Sequence, residues 1–262
     1  TSQFGILAWT GHSRRYEVAM ATDEFTFSQF SSNAFYQTQN ARLVDMVGVA
    51  AGQRIVDLAC GTGAVTKLII QRMKGARDSA VIAIDQSAIA LKQAMDELND
   101  ARSSAVQFVQ SRVEQLSDSV KDSVDTVFFC NAIHYVPDKG AVLVDISRAL
   151  KPGGRLAFNT SFFEGAHPEE TLLFYRKWML KAARSLRKEY GLSPVRDSKV
   201  QSRQQLTAEE YAVLVETHGF RVERQEIDTV NVPIEGWLDI SSFKDFIEGV
   251  MPGVPLDKAS AA

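Results

Sequence analysis

Two carboxylates and a small-residue turn carry most of the chemistry that this sequence offers. Asp57 lies inside the apolar run Ile55-Val56-Asp57-Leu58, and the run leads directly into Ala59-Cys60-Gly61-Thr62-Gly63. Asp85 closes a second apolar run, "VIAID". Glycines at a strand end let the backbone approach a ligand closely, and the helix that follows offers free N–H groups at its N-terminus. Two histidines follow later apolar runs, His134 in "NAIHYVPD" and His167 in "EGAHPEE". Both are expected at the mouth of the site as candidate general bases, with pocket wall as the other reading of His134.

The position is that of a nucleotide-type site, and two features decide which nucleotide. A dinucleotide fingerprint would carry a third glycine where Thr66 stands. A carboxylate such as Asp57 would repel a pyrophosphate but attract a ligand bearing a sulfonium and an ammonium. The pattern therefore favours S-adenosylmethionine over NAD. Asp85, at the end of the second strand, is placed to accept both ribose hydroxyls. Ser87 can cap the next helix and leave Asp85 free.

These residues need a frame. Apolar strand-like runs fall at 54–58, 80–85, 105–110, 124–130 and 154–160, and helical patterns at 63–74, 87–99 and 138–150 fill the gaps. Strands covered on both faces and alternating with helices predict an α/β fold with a doubly wound, mostly parallel sheet. Lys151-Pro152-Gly153-Gly154 reads as a stop and turn before the fifth strand. A helix over 38–49 precedes the first strand. A long helical stretch, 169–190, then a helix over 207–218 capped by Thr207, a strand from Phe220 to about Val232, and a short helix near 241–249 follow.

The domain organisation expected is a single domain over 1–262. It has an aromatic-rich N-terminal lid segment (1–50), a cofactor-binding core (51–160), a cap insertion (161–205) and a C-terminal part (206–262). Phe4, Trp9, Tyr16, Phe25, Phe27, Phe30, Phe35 and Tyr36 crowd the first segment. Phe35 and Tyr36 are the candidates for covering the cofactor, with core packing as the alternative.

The totals narrow the function classes. The chain has 262 residues, 45% hydrophobic and 23% charged, with a formal net charge of -3. With a pI near 5.9 there is no basic excess of the kind that marks nucleic-acid binders. The densest cationic cluster, Arg176, Lys177, Lys181, Arg184, Arg187 and Lys188, reads as a solvated helix face. There is no run long and apolar enough for a membrane span and no visible signal peptide. The two cysteines, Cys60 and Cys130, lack metal-ligand spacing, and no metal constellation is present. A cytoplasmic location is expected. The sequence starts at Thr1 rather than Met, so excision from a longer chain is also expected.

The stretch 52–160 resembles the class I S-adenosylmethionine-dependent methyltransferases. "VDLACGTG" is similar to the family's first motif and "VIAIDQS" to its second. "FVQSRVEQL" stands at the third, "VDTVFFCNAIHYVPD" resembles the fourth, and "ALKPGGRLAF" the segment before strand five. The resemblance implies a seven-stranded-type sheet, here with its last strand missing or replaced. It implies that Asp57, Ala59, Gly61 and Gly63 hold the methionine end, and that Asp85 takes the ribose with Gln86 flanking the adenine. Val113 and Glu114 would lie at the adenine edge, and Asn131 and Ala132 along the methyl path. Arg112 departs from the pattern, because the family carries an acid there that accepts from the adenine amino group and Arg cannot accept. Either Glu114 or a backbone carbonyl substitutes, or adenine binding is altered.

The acceptor expected is a small molecule or lipid-like compound, methylated at oxygen. Two other readings fit the same residues. One is a cofactor-binding protein catalysing another reaction such as a cyclisation; the other is a binding module without catalysis.

Overall fold

The computed structural model describes residues 25–73, 78–98, 106–120, 122–195 and 205–262. Phe4, Trp9, His12 and Tyr16 lie outside the described residues. A short helix α1 (Ser28–Ser31) and a longer one, α2 (Ala34–Val47), lead to the first strand. Strands and helices then alternate as β1 (Arg54–Leu58), α3 (Ala64–Arg72), β2 (Ala80–Asp85), α4 (Ala88–Glu97) and β3 (Val106–Gln110). There follow α5 (Leu116–Ser119), β4 (Val124–Cys130), α6 (Lys139–Ala149) and β5 (Leu150–Asn159). Beyond the sheet come α7 (Glu169–Ser185), α8 (Ala208–Thr217), α9 (Ile234–Ile240), α10 (Lys244–Val250) and α11 (Leu256–Ala261).

The five strands pair in the order β3-β2-β1-β4-β5, every pair parallel. Alternate residues of the apolar strands feed two cores. Val56, Leu58, Val127 and Phe129 pack with Leu116, Val142 and Ile146 on one face. Ile55 and Phe128 pack with Val44, Val65 and Ile69 on the other. Full burial of each large apolar side chain stabilises by about 1.5–3 kcal/mol, which is why runs without polar alternation settle in the middle of such a sheet. The order reverses between β1 and β4. The connections after these two strands run to opposite sides and leave a crevice at their C-terminal ends.

Three expectations need correction. Lys151–Gly154 does not precede the fifth strand but belongs to it as an irregularity. Leu150 pairs with Val124 and Arg155 with Thr126, so the intervening residues loop out against one residue of β4. The helix expected near 241–249 is present as α10, but a helix that was not expected, α9, precedes it. The third correction concerns residues 220–232, which form no strand, so the sheet has five strands among the described residues. The alternation of Phe220 and Val222 is real, but a strand needs a neighbouring backbone to bond. This segment is held by side chains instead. Arg42 pairs with both Glu226 and Asp228, and Gln225 donates to the carbonyl of Ala208 (2.9 Å).

The cap of α8 is as expected. The Thr207 hydroxyl accepts from the Glu210 N–H (3.1 Å), and the Glu210 carboxylate accepts from the Thr207 N–H (2.8 Å).

Candidate active site

The glycine turn sits at the crevice. Ala59, Gly61 and Gly63 all adopt left-handed φ, at 58°, 54° and 85°. Glycine accepts this freely, whereas at Ala59 the conformation costs about 1–2 kcal/mol. A side chain at Gly61 would enter open space, and one at Gly63 would meet the Ala94 Cβ at 3.1 Å. The turn is thus tight against α4 on one side and open on the other.

Asp85 organises the turn. Its Oδ2 accepts from the Gly61 N–H (2.8 Å) and its Oδ1 from the Ser87 N–H (2.8 Å). Ser87 caps α4 by accepting from the Ala90 N–H (3.2 Å), as the sequence suggested. Asp85 is nonetheless not free of protein partners. Each carboxylate oxygen keeps a second lone pair for a hydroxyl donor. Asp57 is 1% exposed and accepts from the Thr66 hydroxyl (2.5 Å). Burial is the main reason that its carboxyl is pushed up to about 7, and the Asp85 carboxyl is raised by burial too. Neither carboxyl has a cationic partner among the described residues. A third carboxyl, Asp245 at the start of α10, is also raised, by burial first and then by repulsion from Glu248 and, more weakly, Asp85. Nothing in the local sequence around Asp245 signals this, because α10 reaches the crevice only through the fold. A buried carboxyl (Asp57) and a half-buried one (Asp85), neither ion-paired among the described residues, beside an open glycine turn are the donor set that a cationic ligand requires. S-adenosylmethionine fits that chemistry.

The adenine side is less prepared. Gln86 is exposed and lends only its carbonyl to Gln110 (3.2 Å). Val113 and Glu114 begin a 3-10 turn, and Glu114 is held by Arg112 through Oε2 at 3.3 Å and Oε1 at 3.4 Å. Arg112 thus occupies the acid expected to replace it as an adenine acceptor.

At the end of β4, Asn131 adopts a left-handed φ of 50°, which asparagine tolerates. It joins a polar seam. Its N–H donates to the Asn159 Oδ1 (2.9 Å), the Asn159 amide donates to Asn40 (2.9 Å), and the Ser161 hydroxyl donates to the Asn131 Oδ1 (2.9 Å). Ala132 is half-buried beside it.

This seam lines a cavity of about 1550 Å³ between β5, the cap and residues 222–232. Tyr36 and Asn131 are the two expected cofactor residues that reach its wall. Asp57, Asp85 and the glycine turn lie outside it, so the expected site divides into a cofactor crevice and a larger neighbouring chamber. The lid aromatics cover the join. Tyr36 packs edge-on to Phe27 (5.4 Å) and Phe30 (5.5 Å), Phe27 meets Phe243 (4.9 Å), and Ser31 of α1 reaches the Thr62 hydroxyl (3.3 Å). The cap supplies the opposite wall. Trp237 of α9 is the hub, with ring centroids 5.8 Å from Phe174, 5.9 Å from Trp178 and 6.1 Å from His167. Trp237 escaped the sequence reading because α9 follows the segment taken for a final strand.

The two histidines part company. His167 lines the cavity, and burial lowers its pKa. His134 was expected at the mouth, but the structure buries it completely. Its ring lies 4.1 Å from that of Tyr135 and 4.5 Å from that of Phe162, its Nδ1 bonds the Thr160 hydroxyl (3.0 Å), and burial drives its pKa down to about 3. The 3-10 turn Ile133–Tyr135 folds the ring inward, where its apolar neighbours hold it neutral. Both cysteines are buried and free, with thiols pushed up by burial.

A sequence model described as "Methyltransferase domain" matches residues 50–211. The chain is 36% identical over 162 residues to a ubiquinone/menaquinone biosynthesis C-methyltransferase of Methylococcus capsulatus, covering 60% of this chain and 64% of that protein. It is 31% identical over 117 residues to a ubiquinone biosynthesis O-methyltransferase of Paracidovorax citrulli, covering 45% and 47%. The chain thus spans about half to two thirds of the length of these relatives. Among solved structures, a cyclopropane synthase of Mycobacterium tuberculosis superposes with a TM-score of 0.52 at 15% identity, over 72% of this chain and 62% of that one. That likeness concerns the fold alone.

Proposed function

The chain belongs to the methyltransferase-domain family, and from that premise we propose that it transfers a methyl group from S-adenosylmethionine to an oxygen of a small, ring-bearing, lipid-like acceptor. The cofactor supplies an electrophilic methyl group on a sulfonium. Asp57 and the turn Ala59–Gly63 would hold its methionine end, Asp85 its ribose hydroxyls, and Gln86, Val113 and Glu114 its adenine. Asn131, Ala132 and Tyr36 would border the methyl path.

One observation supports this reading: Tyr36 and Asn131, both expected beside the cofactor, line a chamber walled by aromatic rings. Large, mostly apolar cavities with a few convergent polar groups suit organic acceptors. Flat rings can stack on Trp237 and Phe174, and the quinone-related names of two relatives agree with such an acceptor. His167, kept neutral by partial burial, is the base for the acceptor hydroxyl. His134 serves as a neutral packing ring. The lid aromatics exclude water from the transfer. Carbon methylation is the second reading, favoured by the C-methyltransferase relative.

Calorimetric titration with S-adenosylmethionine and separately with NAD tests the cofactor assignment. Release of S-adenosylhomocysteine in the presence of a panel of quinols and catechols tests the acceptor, and the mass shift with its position distinguishes oxygen from carbon. Binding of NAD in place of S-adenosylmethionine would overturn the assignment.

A further inference from the structure

The outer face of α7 has no partner among the described residues. Six of the chain's 29 lysines and arginines, Arg176, Lys177, Lys181, Arg184, Arg187 and Lys188, fall within 176–188, a stretch without an acid. All six are exposed, and none forms an ion pair among the described residues. The four on α7, Arg176, Lys177, Lys181 and Arg184, fan over one side at 100° per residue with Leu173 (47% exposed) and Leu180 (58%) within the fan, and Arg187 and Lys188 follow in the π-helical turn Leu186–Tyr190. The opposite side, with Trp178, Met179, Ala182 and Leu186, faces inward. Single exposed leucines are ordinary on a solvated face, but two aligned along the helix among unpaired cations make an amphipathic strip. The chain as a whole is acidic, which makes the local excess a feature of this helix and not of the composition.

The same helix borders the acceptor chamber. Leu172 and Phe174 line the cavity while remaining 39% and 42% exposed, and Ile234 lines it at 55%. These exposed apolar side chains adjoin the cationic face, although the lining also holds the exposed charges Glu170, Arg42 and Asp228. We propose that α7 docks flat on an anionic phospholipid bilayer, with the six cations among the headgroups and Leu173 and Leu180 entering the acyl boundary. Charge complementarity selects the anionic surface, and the two leucines select a lipid over a nucleic acid. Docked in this way, the chamber opens toward the membrane. The proposal concerns the surface only and holds whatever the acceptor proves to be.

Flotation with vesicles is the test, comparing pure phosphatidylcholine with equal parts phosphatidylcholine and phosphatidylglycerol. The expected result is binding to the anionic vesicles alone, weakened by salt. A charge near such a surface contributes about fivefold in partitioning, so Lys177→Gln, Lys181→Gln and Arg184→Gln together lower it roughly a hundredfold. A second variant, Leu173→Ser with Leu180→Ser, also lowers it, while both variants keep the wild-type circular dichroism and melting temperature. Wild-type binding by either variant overturns the proposal. So does equal binding to both vesicles, binding to neither, or displacement from anionic vesicles by an RNA duplex at lower charge concentration than by free phosphatidylglycerol vesicles.

Discussion

Asp57 links folding, cofactor affinity and pH. Its carboxyl is raised from 3.8 to about 7, chiefly by burial, which outweighs the hydrogen bonds from Thr66. Below its ordinary range it is protonated whether the chain is folded or not. Between there and pH 7 the unfolded chain ionises while the folded chain does not, so stability falls by about 1.4 kcal/mol per unit, about 4 kcal/mol in all. A cationic ligand beside the carboxylate reverses the preference. If the bound state returns Asp57 to near its ordinary value, affinity for S-adenosylmethionine drops roughly fifty-fold from pH 7 to pH 5, and binding near pH 6 releases about one proton. Asp57→Asn keeps an acceptor for Thr66 and cannot ionise. Its melting temperature is expected above wild type at pH 8, with weaker cofactor binding and a flatter pH profile. Thermal melts against pH, and calorimetry in buffers of different ionisation enthalpy, read all three. A wild-type affinity that is level between pH 5 and 7, or a variant no more stable than wild type at pH 8, refutes the reasoning.

Other expectations follow from single contacts. Asp85→Ala strands the N–H groups of Gly61 and Ser87, each worth about 1–3 kcal/mol when buried and unpaired, and lowers cofactor affinity at least tenfold by calorimetry. Ala59→Gly relieves the left-handed strain and raises stability by up to about 1 kcal/mol in urea melts, less the extra chain entropy of glycine. His167→Ala lowers kcat roughly 100-fold with cofactor affinity unchanged, whereas His134→Phe affects stability more than the pH profile of turnover. Gly236→Ala pushes against the Phe35 ring, whose Cε1 would stand 2.9 Å from the new methyl group, and loosens the lid, as increased proteolysis near the N-terminal segment would report.

The parallel core was legible because burial on both faces leaves a plain mark: runs such as "AVIAID" have no polar alternation, and the Thr207 and Ser87 caps announce their helices. The bounds of β1, β2 and β4 match the apolar runs. Legibility ended where structure depends on partners distant in sequence. The alternation of Phe220 and Val222 predicts a strand, but among the described residues no strand pairs with it. Asp245 and Trp237 look like ordinary helix residues until the fold carries α9 and α10 over the crevice. His134 resembles a mouth residue in sequence, and only the turn over Ile133–Tyr135 decides that its ring points inward.

The missing strand and the chamber are two aspects of one arrangement. A ladder on the outer edge of β5 would bring residues 220–232 to within about 5 Å of that strand, closing the space between them. Held off by Arg42 and its two carboxylate partners, the segment leaves β5 as one wall of a cavity that reaches the polar seam at Asn131. The feature that most departs from the sequence expectation is therefore the one that makes room for an acceptor. Arg42→Ala, which frees Asp228 and leaves Glu226 to Arg224 alone, tests whether those exposed pairs set the spacing. Each exposed pair contributes about 0–1 kcal/mol, so stability should barely change while acceptor KM shifts. An unchanged KM would assign the spacing to the backbone of the segment and not to its ion pairs.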